Sequence, residues 1–188
     1  MIAQIIIYIL FFIIGIVLGS FFTLATYRIP LKQDITHTRS YCPKCNHRLE
    51  FLDLIPVLSF VLLGGKCRYC KEKINPRYII MEIFSGLLYL LLIVLLKINF
   101  MQITVFQIIK LVYITLMFSA LFIICGILKE TKQVSTEVLI FGIVVQVLYI
   151  TYLYILKLNI YRYIIYLIIM FVLLLIGIMQ KRQREKWN

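Results

Sequence analysis

Residues 5–27 read IIIYILFFIIGIVLGSFFTLATY, a run of 23 residues without a charged side chain. About 20 apolar residues in a helix cross the roughly 30 Å hydrocarbon core of a bilayer. This stretch therefore predicts a membrane-spanning helix. It has no basic leader before its apolar core, and that core is longer than the core of a secretory signal peptide. We expect it to be retained as the first span.

The rest of the chain has a similar composition, since 63% of the 188 residues are hydrophobic. A soluble fold of this size cannot bury so much apolar surface. We predict an all-α polytopic membrane protein of about five transmembrane helices, with a small cytosolic zinc-knuckle insert between spans one and two. The predicted spans cover residues 5–27, 79–96, 111–128, 138–156 and 163–179, and the short gap at 98–107 predicts a hairpin of spans two and three. The predicted domains are the first helix (1–27), the insert (28–78), a helical bundle (79–180) and a basic cytosolic tail (181–188).

The net charge of +12 is distributed unevenly along the chain. The polar region from Arg28 to Arg77 holds ten basic and four acidic residues. Because Lys and Arg accumulate on the cytosolic side of membrane proteins, we expect the insert and the C-terminus inside and the N-terminus outside. Of the 20 basic residues, this orientation places sixteen inside and only Lys97, Lys110, Lys157 and Arg162 outside. No basic-aromatic motif accompanies the charge, so we expect no nucleic-acid partner.

Tyrosines bracket the loop between spans four and five. A phenol ring suits a membrane interface, because one end is apolar and the other is polar. We predict an aromatic belt at the outer interface from Tyr149, Tyr152, Tyr154, Tyr161 and Tyr163.

The insert contains two CxxC pairs separated by 21 residues, Cys42 with Cys45 and Cys67 with Cys70. Two such pairs are typical of a tetrahedral zinc site, and four sulfur ligands leave no open position for catalysis. We therefore predict structural zinc. The alternatives are two disulfides, which a reducing cytosol disfavours, or four unrelated thiols. We expect Cys125 in span three to be a small buried hydrophobe, and His37 and His47 to be solvated loop residues.

Residues 15–82 resemble the N-terminal domain of type IV prepilin peptidases, the bacterial membrane enzymes that trim and N-methylate prepilins. Thr23 stands where that family commonly has Asn. The matching blocks, in order, are Gly19-Ser20-Phe21, Tyr27-Arg28-Ile29-Pro30, Ser40–Cys45, Ile55–Phe60, Gly65–Cys70, Arg77-Tyr78 and Glu82. The resemblance implies a multi-pass protein of the bacterial cytoplasmic membrane, in contact with lipid and with prepilin or pseudopilin substrates.

The proteolytic half of that family uses two aspartates at the cytosolic ends of different spans, one ionised as base and one protonated as acid. On the family's register Leu128 stands in the first aspartate's position and Ser135 in that of a proline seven residues on. No GxGD motif follows, and the only aspartates are Asp34 and Asp53, both in the insert. We therefore predict no catalytic residue and no aspartyl protease activity.

Glu130 and Glu137 do not replace the missing pair, because both lie around one loop, between spans three and four, and we expect them to be solvated.

Methyltransferase activity stays open on the resemblance, with S-adenosylmethionine as the implied cofactor. Glu82, near the cytosolic end of span two, is the predicted substrate-binding residue, since a carboxylate there can hold an amine. The alternative for this side chain is an interfacial acid near Arg77. Two other functions also stay open: a membrane thiol-disulfide oxidoreductase that uses the CxxC pairs, and a non-enzymatic pilus-assembly subunit. The sequence predicts no oligomeric state.

Overall fold

The structure is a computed structural model that describes residues 2–35, 37–96 and 103–185, and the side chains of 4–35, 37–96 and 103–182. The described chain is helical, with no strand and only two isolated bridges, Tyr41 with Arg48 and Lys66 with Lys73. Its elements are α1 Ile2–Arg28, a 3-10 helix Phe51–Leu54, α2 Leu58–Leu62, α3 Arg77–Leu96, α4 Val105–Thr131, α5 Thr136–Ile155 and α6 Tyr161–Glu185.

Five of these helices, α1 and α3 to α6, are long and apolar enough to cross a membrane. The prediction of an all-α polytopic protein with five spans is confirmed. The helix ends differ from the predicted span ends. α4 begins at Val105, because Thr104 caps it: the Thr104 hydroxyl accepts from the Gln107 backbone N–H, and the Gln107 side chain accepts from the Thr104 N–H.

The predicted basic tail is helical as far as Glu185, so α6 continues without a break past residue 181. Residues 186–188 lie outside the described residues, and so do residues 97–102. The predicted hairpin of spans two and three, and the placement of Lys97 in its loop, therefore stay predictions.

The chain divides into two compact units, one of residues 1–28 and 32–102 and one of residues 29–31 and 103–188. In the first unit, α1 packs closely on α3 through Gly15 and Gly19. A Cβ atom added at Gly15 would lie 2.7 Å from the Tyr89 Cβ, and one at Gly19 would lie 2.6 Å from the Ser85 Cβ. Small residues four apart on a membrane helix allow such close approach. The two glycines therefore fix how the first two spans pair.

In the second unit, α4, α5 and α6 share a polar contact inside an apolar interior. Gln146 is fully buried; its Oε1 accepts from the Tyr113 hydroxyl at 2.6 Å, and its Nε2 donates to the Tyr163 carbonyl at 2.8 Å. The Tyr113 ring stacks on Tyr149 with centroids 3.8 Å apart. Because a buried amide needs partners, this network fixes how the three helices face one another.

The predictions for the burial of two side chains in the second unit are wrong. Tyr149 is buried against Tyr113 and Leu153 instead of joining an outer belt, whereas Tyr154 and Tyr161 are exposed. Cys125 is exposed on α4 rather than buried. Both errors have one cause, since a membrane helix that is apolar all round gives no periodicity to show which face packs on protein.

Candidate metal centre

The first CxxC pair forms a tight turn closed by backbone hydrogen bonds. The Asn46 N–H donates to the Cys42 carbonyl at 2.8 Å, and the Cys42 N–H donates to the His47 carbonyl at 3.0 Å. Asn46 has a φ of 55°, which is a left-handed conformation that Asn tolerates. The turn directs both thiols of this first knuckle toward one side.

The second CxxC pair repeats that turn 25 residues later along the chain. The Lys71 N–H donates to the Cys67 carbonyl at 3.1 Å, the Cys67 N–H donates to the Glu72 carbonyl at 2.8 Å, and Lys71 has a φ of 58°. Sequence reasoning missed this structural repeat, because few residues besides the cysteines are shared. The available signal was a basic residue and an aliphatic one after each pair, namely Arg48-Leu49 and Lys73-Ile74.

The two knuckles bring all four sulfur atoms together. The Sγ atoms of Cys42, Cys45, Cys67 and Cys70 lie within 4.8 Å of one another, and the Cys42 and Cys70 sulfurs are 3.9 Å apart. Four thiolates at zinc–sulfur distances of about 2.3 Å in a tetrahedron lie about 3.8 Å apart. None of the four is in a disulfide. The four predicted ligands are thus positioned to bind one metal ion.

The surroundings of these thiols favour a thiolate at Cys42. The backbone N–H groups of Cys45 and Lys44 stabilise its charged form and lower the pKa of Cys42 to about 7. At Cys70 the Glu72 backbone lowers the pKa, but desolvation and the neighbouring thiols outweigh it and raise the pKa of Cys70 to about 11. A cation at the centre of the four sulfurs would stabilise the charged form of each thiol, because metals bind thiolates.

Asp53 ties the second knuckle to the segment between the knuckles. Its side chain is only 3% exposed, and it accepts from the Arg68 Nε at 2.6 Å and from the Tyr69 hydroxyl at 3.3 Å. Desolvation acts to raise the pKa of Asp53, but the hydrogen bond from Arg68 holds it below its usual range. The Tyr69 ring also packs on His47 of the first knuckle, with centroids 3.5 Å apart. His47 therefore joins the two knuckles, a role that the sequence did not suggest.

Glu82, the predicted substrate-binding residue, is buried in α3 and does not lie at the metal centre. Its Oε2 accepts from the Val57 backbone N–H at 2.8 Å, and Ser20 of α1 also hydrogen-bonds this carboxylate. Val57 has a φ of 61° and lies at the middle of a γ-turn in which the Leu58 N–H donates to the Pro56 carbonyl. The carboxylate thus holds a strained part of the insert.

The residues that stand in the positions of the peptidase's first aspartate and of its proline, and the two glutamates near them, lie in the second unit. Leu128 and Glu130 are in the last turns of α4, Ser135 caps the N-terminus of α5 by accepting from the Val138 N–H, and Glu137 is exposed in the first turn of α5. The two aspartates are elsewhere: Asp53 binds Arg68, and Asp34 accepts from the His37 N–H.

A basic cleft of about 450 Å³ opens beside the first knuckle. It is lined by His37, Thr38, Arg39, Tyr41, Asn46 and Arg48.

Residues 13–96 match the family described as Bacterial Peptidase A24 N-terminal domain. A Prepilin leader peptidase/N-methyltransferase of Vibrio cholerae serotype O1 is 45% identical over 83 residues, which cover 40% of this chain and 33% of that protein. A protein of the same name from Bacillus subtilis is 42% identical over 78 residues, covering 42% of this chain and 32% of that protein. Another from Myxococcus xanthus is 41% identical over 78 residues, covering 42% of this chain and 23% of that protein.

The chain spans about a third or less of the length of these curated relatives. No solved structure matches it. The resemblance drawn from the blocks between Gly19 and Glu82 is confirmed by these matches, and the family region lies almost entirely in the first unit. Residues 13–96 of this chain are therefore similar to bacterial peptidase A24 N-terminal domains.

Proposed function

We propose that this protein acts in the processing or assembly of type IV prepilins or pseudopilins at the bacterial cytoplasmic membrane. The observation that carries the proposal is the family match over residues 13–96, which includes the whole metal centre. The relatives named above are prepilin leader peptidase/N-methyltransferases. A multi-pass membrane chain is a suitable partner for a prepilin, because prepilins are membrane substrates of that family.

The ion that we propose for the four thiolates is zinc, in a structural role. Four sulfur ligands at tetrahedral spacing suit zinc and exclude a bound water. Binding energy then becomes folding energy for an insert with few buried apolar residues. The convergence of all four thiols on one point favours a metal over the thiol-disulfide exchange considered above, which needs one exposed pair at a time.

We further propose that the chain has no aspartyl protease activity of its own. Acid–base proteolysis needs two carboxylates that share a site. Both aspartates lie in the insert and already have partners, while Glu137 is exposed at the start of α5. With proteolysis set aside, methyl transfer from S-adenosylmethionine is the enzymatic activity that remains to be tested. Glu82 is the residue predicted to hold the amine, and this role stays a prediction.

The test uses the purified full-length chain in lipid nanodiscs, with a prepilin, the matching mature pilin and labelled S-adenosylmethionine. An intact prepilin peptidase serves as the positive control. We expect the pilin to bind without removal of its leader. Leader removal would contradict the loss of protease activity, and label on the mature pilin's N-terminus would identify a methyltransferase. Absence of binding, cleavage and methylation together would overturn the proposed role.

The orientation that we propose, with the N-terminus outside and the insert inside, is supported by the clustering of basic residues in the insert. Two added cysteines test it in a Cys125→Ser background that keeps the four insert cysteines and is itself labelled for comparison: Arg39→Cys in the insert and Tyr161→Cys, an exposed site at the start of α6. A membrane-impermeant thiol reagent should label residue 161 in intact cells and residue 39 only after lysis. The reverse pattern would show the opposite orientation and make thiol-disulfide exchange in an oxidising compartment the better explanation of the cysteines.

A further inference from the structure

The segment between the two knuckles, residues 51–62, presents an apolar surface to its surroundings. We call it the apolar segment; it contains the 3-10 helix and α2. Phe51 is 81% exposed and Leu62 is 74% exposed. The exposed apolar side chains of the segment are Phe51, Leu52, Leu54, Leu58, Val61 and Leu62. Large exposed apolar side chains concentrated in one short segment favour a contact with a membrane or a partner.

The single charged residue of the apolar segment faces inward. The Asp53 carboxylate is almost fully covered by its bonds to Arg68 and Tyr69. The outer surface of the segment is therefore free of formal charge. An apolar surface without charge can enter hydrocarbon at low cost, whereas an exposed carboxylate there is expensive.

The segment is attached to α3 at a level inside the candidate span Arg77–Leu96. The Val57 N–H donates to Glu82, which lies five residues into the span that begins at Arg77, or about 7 Å along the helix. Ser20, the other partner of that carboxylate, lies eight residues before the end of α1, or about 12 Å from it. Val57 therefore lies beside the first turns of the candidate spans on the insert's side, several residues in from the helix ends.

The backbone of the segment meets part of the demand of a low-dielectric environment, because several of its N–H donors have partners within the protein. Within the segment, the N–H groups of residues 53, 57, 58, 59 and 61 donate to other groups of the protein, and Pro56 has no N–H. An unsatisfied backbone group in hydrocarbon costs several kcal/mol. Irregular backbone at membrane depth is tolerated where such groups have partners.

Basic residues lie beyond both ends of the segment in sequence, although the exposed Glu50 directly precedes it. Arg48 and Lys66 are exposed on its two sides. Cationic side chains beside an apolar wedge are attracted to anionic headgroups while the wedge enters the acyl region. The helices α1 and α3, whose exposed apolar side chains contact lipid when they span a membrane, belong to the same compact unit as the segment.

We propose that the apolar segment docks into the membrane interface, with the side chains of Phe51 and Leu62 among the acyl chains. The occupant of its surface is lipid of the same bilayer that α1 and α3 cross. The inference does not depend on the proposed function. It gives the bond between Glu82 and Val57 a purpose, namely to hold the insert down on the membrane.

Tryptophan fluorescence of the full-length chain in nanodiscs tests the proposal. The only native tryptophan, Trp187, is first changed to Phe. Leu62→Trp then reports on the segment, and Glu72→Trp, at an exposed position on the second knuckle, is the matched control. Helical circular dichroism and monodispersity establish that each variant is folded. If Leu62→Trp does not fold, Phe51→Trp at the other end of the segment takes its place.

We expect lipids brominated on the acyl chain to quench the residue-62 reporter several-fold more than the residue-72 reporter, with aqueous iodide showing the opposite order. Equal iodide quenching of the two would overturn the proposal. So would shielding of residue 62 from both quenchers, since protein would then cover the segment. Equal bromolipid quenching of both positions would also overturn it, because the docking would not be specific to the segment.

Discussion

Asp53 affects both the second knuckle and the apolar segment. Its hydrogen bonds hold the second knuckle, and its inward position keeps a carboxylate off the exposed surface of the apolar segment. It is held by Arg68 and Tyr69, the two residues between the ligands Cys67 and Cys70. Residues that orient a metal's ligands matter nearly as much as the ligands themselves. We therefore expect a single carboxylate outside the sulfur cluster to contribute to metal affinity.

Replacing Asp53 with Asn should weaken metal binding by roughly tenfold, because outer partners of metal ligands contribute about that much. Competition with a chelator on the purified chain measures the effect. Glu72→Gln removes an equal charge from an exposed position on the same knuckle and should leave affinity unchanged. Equal losses in the two variants would show that overall charge, and not the Arg68 contact, determines affinity.

Lys71 and Asn46 occupy equivalent left-handed positions, with φ of 58° and 55°. A non-glycine residue there costs about 1–2 kcal/mol, of which glycine recovers part after its own entropy cost of about 0.5–1 kcal/mol. We predict that Lys71→Gly stabilises the insert by about 0.5–1 kcal/mol, measured as resistance to metal loss on heating. Asn46→Gly should change little, since Asn tolerates this conformation. A destabilised Lys71→Gly variant would contradict the backbone geometry.

At the level of whole elements, α1 and α3 pair through small residues, and this pairing positions Glu82 beside Ser20. Gly19 approaches α3 so closely that its added Cβ would meet the Ser85 Cβ at 2.6 Å and the Glu82 Cα at 3.1 Å. The second of these atoms is backbone and cannot move aside by a change of rotamer. The helix pair therefore has no room for a side chain at residue 19.

Gly19→Leu should separate α1 from α3 and lower the thermal stability of the first unit by about 1–3 kcal/mol, the usual cost of overpacking. Thermal unfolding in nanodiscs measures the loss. Val17→Leu, on the exposed face of the same helix, adds bulk without a clash and serves as the control. A Gly19→Leu variant as stable as Val17→Leu would contradict the close helix contact.

The elements differ in how far sequence predicts them, for a physical reason. The spans follow from length and apolarity, and the metal ligands follow from the spacing of Cys42, Cys45, Cys67 and Cys70. The inward position of Tyr149 and the contact of Glu82 with Val57 could not be foreseen. Tyr149 was missed because apolar spans give no periodic signal of a packed face. The contact of Val57 with Glu82 was missed because the two residues are 25 positions apart and meet only through the folded geometry of the insert and of the α1–α3 pair.

At the scale of the whole molecule, the chain combines a region similar to A24 N-terminal domains with a second helical unit whose sequence contains no aspartate. Residues 13–96 match the family, and the chain spans a third or less of the relatives described above. Its proposed role in prepilin processing or assembly therefore depends on the first unit. That unit contains the metal centre, the helix pair and the apolar segment.

The metal content of the purified full-length chain tests the central claim most directly. Elemental analysis should find one zinc ion per chain, with X-ray absorption showing four sulfur neighbours at about 2.3 Å, and Cys67→Ser should lose the metal while Cys125→Ser retains it. A chain that folds without metal, or whose insert cysteines are paired in disulfides, would contradict the account.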